Sequence, residues 1–219
     1  MPPACAPSSP RPSASAKAAG MDAVDAPALS RAARLKAETA AVHGRLDARI
    51  MAAGAFTDRA GYGRFLLFQR LLHEDGAPLY GHPALAGLLA EAGVGARLHL
   101  VERDLADLGQ PRSRPVGAPE PAFAMGLPDA ATALGWLYVL EGSRLGGAVL
   151  LKGAQGLGLT AAFGARHLAP AHEGVLAHWR RFTTGLEDAD LDGVGEQQMI
   201  AGAIAAFQRA HALADFAFG

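Results

Sequence analysis

From Ser30 onward the apolar residues recur at helical spacing, and no run alternates with a period of two. Leu35, Thr39, Val42, Leu46 and Ile50 form one stripe of a helix that Ser30 is placed to cap and that ends near Met51, before Gly54. Thr57 or Asp58 caps a second helix carrying Tyr62, Phe65, Leu66, Gln69 and Leu72. Pro83 suits the first turn of a short helix through Leu88 and Leu89. Leu98, Val101, Leu105 and Leu108 line one face of a fourth, from about Gly95 to Leu108. The stretch from Gly109 to Pro128 reads as loop, being interrupted by Pro111, Pro115, Pro119 and Pro121. Asp129 then caps a long apolar helix, ATALGWLYVLEGSRLGGAVLLKGAQ. A linker from Gly158 to Pro170 precedes a helix around His178 and Trp179, and the last helix runs from about Gly195 to Asp215. No repeat or second core is visible, which predicts one all-α domain over residues 28–219.

Residues 1–27 break this pattern. They are rich in Pro, Ala and Ser and cannot bury a core, so a disordered tail is expected there. Its prolines interrupt the apolar run a signal peptide needs, and Met21 offers an alternative start. With 50% hydrophobic residues, the 219-residue chain can bury a core without disulfides, and its one cysteine, Cys5, excludes a disulfide framework or a multi-cysteine metal site. A net charge of −1 argues against binding nucleic acid or a membrane surface through bulk charge. No apolar run is long enough for a membrane span, so a cytoplasmic protein is expected. The anomaly is a load of 27 glycines in a chain that reads as helix, where glycine is costly.

Three of those glycines, Gly142, Gly146 and Gly147, lie inside the long apolar helix. A phosphate cradle needs glycines between a strand and a helix, so that reading fails. Tight helix packing is the simpler account; the alternative is a flat ligand lying against bared backbone at a kink. The eight histidines are scattered over different elements, with no H-E-x-x-H and no paired E-x-x-H. His43 stands apart because Lys36 precedes it by seven residues on one helix. Seven positions leave the two side chains offset by only about 20° around the axis and separated by about 10 Å along it. That spacing suits a heme held edge-on, imidazole to iron and ammonium to a propionate, though a solvated lysine beside an unrelated histidine has the same spacing. Nucleophilic catalysis is excluded more firmly, since Ser143 sits in G-S-R with no preceding strand. Glu38 and Glu141 read as isolated helical acids, solvated or capping. A cofactor is left to do the chemistry.

Several of these segments together resemble a known family. LKAETAAVHGRLDA is similar to the proximal helix of heme oxygenases, and YVLEGSRLGGAVLLKGAQ to their kinked distal helix. GRFLLFQRLLHEDGAPLYGHPALAGL, VERDLADLG, ALGWLYVLEGSRLGG and FGARHLAP resemble segments of bacterial, biliverdin-producing members. The resemblance runs from about Leu29 to Phe216, in order. It implies a single-domain helical fold with heme between the proximal and distal helices. It further implies that His43 is the axial iron ligand, that Lys36 meets a propionate, and that Gly142, Gly146 and Gly147 lie over the distal heme face with Ser143 near a water network. Arg209 is implied as a second propionate partner, and Tyr138 and Phe207 as pocket lining, core packing being the alternative for both.

The implied reaction takes heme b, O2 and electrons from an external reductase or ferredoxin, and yields biliverdin, CO and Fe2+. Ser143 stands where mammalian members carry Asp, which alters the expected arrangement of water. Lys36 is retained, whereas the subgroup that opens heme at unusual positions replaces it, so the IXα isomer is expected. No membrane anchor of the mammalian type is expected. The biliverdin either supplies a bilin-binding photoreceptor or is a by-product of iron release. A non-catalytic heme carrier or sensor with the same fold is the competing reading. A thiamin-cleaving or di-iron relative would need a catalytic Cys or a carboxylate and His cluster, and neither is visible.

Overall fold

The structure is a computed structural model that describes Met1 and residues 29–219. The expected disordered tail, together with Cys5 and Met21, lies outside the described residues, Met1 excepted. Eight α-helices follow in order: α1 (Arg31–Ala52), α2 (Arg59–Gly76), α3 (Ala86–Ala92), α4 (Leu98–Asp107), α5 (Ala130–Gly142), α6 (Gly147–Gln155), α7 (Val175–Asp188) and α8 (Gly193–Phe218). The starts of α1, α2 and α5 follow the expected caps. The side chains of Ser30, Asp58 and Asp129 accept from the backbone N–H groups of Ala33, Gly61 and Thr132, satisfying donors that a helix cannot satisfy itself. Gly54 ends the first helical segment in the left-handed region, at φ 65°.

Two elements differ from the expected pattern. The long apolar helix is broken: α5 stops at Gly142, a 3-10 turn occupies Ser143–Gly146, and α6 resumes at Gly147. A second 3-10 turn, Ala77–Gly81, continues the chain beyond α2, where Pro78 blocks the α-helical hydrogen bond.

The core is organised around α8, which packs on α1, α2 and α5. Its contact with α5 is close because glycines face backbone on both sides. A Cβ on Gly135 would overlap the Met199 carbonyl, and one on Gly202 would overlap the Thr132 carbonyl. Helix α5 is buried on all sides, including Leu134, Trp136, Leu137 and Leu140. Helix α2 is also buried on most of its circumference, with Arg70, His73 and Asp75 embedded among its apolar residues. Burying those polar groups requires partners. Asp75 receives hydrogen bonds from the Ala122 N–H and the Arg209 guanidinium, which ties the proline-rich segment to α2 and α8.

Alanine at Gly135 improves intrinsic helix propensity by about 1 kcal/mol, yet its methyl group collides with backbone that cannot rotate away. Gly135→Ala is expected to destabilise the fold by about 2 kcal/mol. The check is the urea midpoint at unchanged m-value.

Candidate functional site

Helix α1 packs chiefly on α8 and α7, and α5 rests on the same two helices. The two are therefore held by common supports and share few direct contacts. On the α1 side, His43 presents a side chain 55% exposed, with its ring stacked on Phe207 of α8 at 4.9 Å between centroids. Its nearest charged neighbour is Asp47, at 3.4 Å. Lys36 lies two turns earlier on α1, exposed and without an ion pair among the described residues.

The second candidate surface is the break between α5 and α6. A Cβ on Gly142 would lie 3.5 Å from the Trp179 ring, whereas one on Gly146 would meet nothing within 4 Å. Gly147 differs from both, because its Cβ position is 3.0 Å from the Leu168 carbonyl on the far side. Gly147 is thus a packing glycine, Gly142 rests against the Trp179 ring, and Gly146 alone of the three has open space at its Cβ position. Tyr138 is buried, one turn before Gly142, and its ring lies 5.5 Å from that of Trp179. Leu145 and Val149 expose apolar surface beside the break. A half-exposed imidazole, an exposed ammonium on the same helix, flanking aromatic rings and a wall lacking side chains together fit a flat anionic macrocycle with a metal at its centre.

Arg209 does not join this arrangement. Its guanidinium pairs with the buried Asp75 carboxylate at 2.6 Å and also reaches the Glu120 carbonyl. Two residues separate it from Phe207, about 200° around α8, so it faces away from His43. Both causes remove it as a propionate partner.

Behind the break lies a second polar site, which the sequence did not reveal. A cavity of about 50 Å³ is lined by Gln69, His73, Arg97, Ser143, Arg144 and His167, among others. That volume admits one or two water molecules. The Ser143 hydroxyl donates to the Leu140 carbonyl at 2.7 Å, so toward the cavity it offers only lone pairs. Burial, with the charge of Arg97 and the neighbouring His167, lowers the His73 pKa to about 3 and keeps it neutral. Burial likewise lowers Arg97, to about 10, where it remains a cation.

His167 is held by Asp104, whose Oδ2 accepts from Nδ1 at 2.8 Å and from the His167 backbone N–H at 3.0 Å. Burial works to raise Asp104, but those bonds and the one from the Arg166 N–H outweigh it, and the carboxyl sits below its usual range. His167 Nε2 is left buried with no partner among the described residues. Gln69 and His73 are four residues apart on α2 and so share a face. That spacing, and a histidine inside an otherwise apolar helix, were the available signals.

Among the described residues no three His, Cys, Asp or Glu side chains gather to hold a bare metal ion, and no helix is long and apolar enough to cross a membrane.

The heme oxygenase family model matches residues 29–215, and the chain belongs to that family. It is 38% identical over 181 residues to heme oxygenase PigA of Pseudomonas aeruginosa, covering 82% of this chain and 88% of the relative. The fold matches the NO- and CO-bound heme oxygenase of Neisseria meningitidis with a TM-score of 0.79 and 36% identity, covering 88% of this chain and 94% of that one. The family is one of enzymes, which disfavours the reading as a non-catalytic carrier or sensor.

The buried histidines make stability depend on acid in a defined direction. His73 titrates near 6.5 when unfolded and near 3 when folded, so between those values the unfolded chain binds a proton the folded chain lacks. Stability therefore rises with pH across that window and is lost as pH falls through it. The free energy of unfolding should fall by about 1 kcal/mol per pH unit of acidification across that window from the titration of His73 alone. His73→Gln should show a shallower slope between about pH 6.5 and 4.5; an unchanged slope contradicts a buried neutral His73.

Proposed function

We propose that this chain opens heme b to biliverdin IXα, with His43 as the axial ligand and Lys36 as the propionate anchor. As a member of the heme oxygenase family, the chain is an enzyme that cleaves heme. The observation that supports the residue assignment is the half-exposed His43 imidazole, stacked on Phe207 of α8, the same helix on which α5 packs.

When bound, heme supplies both the redox iron and the carbon skeleton that is oxidised. The protein supplies the rest. His43 donates a lone pair from a ring braced by Phe207, which fixes the plane of the imidazole. Lys36, about 10 Å further along the helix, neutralises a carboxylate at the rim and so sets the rotation of the macrocycle. Gly142 and Gly146 bring backbone within reach of the other face and place no acid side chain there. A wall at Gly142 and Gly146 would leave no side-chain acid over the face of a bound heme.

Protons reach that wall from behind. Water in the cavity at Ser143 can be accepted by the serine oxygen and oriented by Gln69, His73 and Arg97. Carbon monoxide and Fe2+ are the accompanying products, and the electrons come from a separate reductase or ferredoxin.

His43→Ala should abolish iron ligation and lower bilin formation at least about 100-fold with ascorbate under O2, and added imidazole should restore part of both. Retention of the heme spectrum without bilin in the wild-type protein would overturn the catalytic reading. Lys36→Ala should lower the IXα fraction and release β or δ isomers; a wild-type product already dominated by those isomers refutes the seating by Lys36.

A further inference from the structure

The three-glycine break should be soft, because glycines add conformational freedom and Gly146 touches no neighbour. What stiffens it is a carboxylate directly behind it. Glu141 is the last residue before Gly142 and is 1% exposed, contrary to its expected place as a solvated or capping acid. Its Oε1 accepts from Tyr80 Oη at 2.6 Å, in the 3-10 turn after α2. Its Oε2 accepts from His178 Nε2 on α7 at 2.6 Å and from Arg144 Nη1 at 3.0 Å.

A lone buried carboxylate costs several kcal/mol, which this set of partners offsets. Burial pushes Glu141 upward, but the bonds from His178 and Tyr80 and the Arg144 charge outweigh it, so the group is ionised. Glu141 and Arg144 are thereby joined across the break, with Gly142 and Ser143 held between them. The same carboxylate anchors α7 through His178, the residue before Trp179, whose ring supports Gly142.

We propose that Glu141 is the positioning residue of the heme wall, holding the Gly142–Gly147 break in one shape through Arg144, Tyr80 and His178. It touches neither substrate nor reacting atoms in this role. The inference rests on the assignment of Gly142 and Gly146 as the face over the heme.

The test has two arms. In the heme-free protein, hydrogen exchange at the Ser143 and Gly147 amides, which donate to the Val139 and Arg144 carbonyls, reads the wall directly. Glu141→Gln should speed their exchange by about tenfold while leaving α1 and α4 unchanged. Tyr80→Phe, which removes one bond and no charge, should do so to a smaller extent and covers the case in which Glu141→Gln fails to fold. With ferric heme bound, both variants should shift the midpoint of the alkaline spectroscopic transition and broaden the bilin isomer distribution. Unchanged exchange at the break, or an equal increase across all helices, overturns the proposal. Faster exchange at the break with an unaltered heme spectrum would instead refute the placement of the wall over the heme.

Discussion

The close crossing of α5 on α8 is the constraint from which the site follows. Gly135 and Gly202 let each helix lie against the backbone of the other, so α5 is set at a fixed depth on α8. Phe207, further along α8, braces His43 on α1. One helix thus supports both α1, through the ring stacked on His43, and α5, through backbone contact at Gly135 and Gly202. Helices α1 and α5 pack on shared supports and little on each other.

Polar groups stay behind the wall. The cavity at Ser143 is bounded by neutral histidines and by Arg97, a charge pattern that can orient water. Asp104 and Glu141 are the two buried carboxylates of this region, and each is paired with a histidine and an arginine. Both hold local backbone: Asp104 the 166–167 turn, Glu141 the break between α5 and α6. The glycines that make the wall thin also make it pliable, and ion pairs buried beneath it supply the missing stiffness.

Much of the fold was legible in the sequence. Ser30, Asp58 and Asp129 cap the helices they were expected to cap, because a short oxygen-bearing side chain at a helix start acts on donors only three residues away. The α1 stripe buries Leu35, Thr39 and Leu46 as its period requires. That Lys36 and His43 lie two turns apart on one helix was readable from their spacing, and both fall within α1. Less legible was the different use of neighbouring glycines, since Gly146 faces open space and Gly147 the Leu168 carbonyl, a distinction that depends on what a remote turn places there. Arg209 was misassigned for a related reason: its partner Asp75 lies on α2, 134 residues away.

By itself the sequence determined an all-α domain, its caps and loops, the family, and the helix bearing His43 and Lys36. These depend on short-range periodicity and on motifs contiguous along the chain. Only the tertiary structure decided that Glu141 is buried rather than solvated, that His73, Arg97 and His167 converge behind Ser143, and that Arg209 faces away from His43. Burial and ion pairing are properties of surfaces brought together from distant elements, and helical periodicity places a residue on a face without specifying what that face will meet.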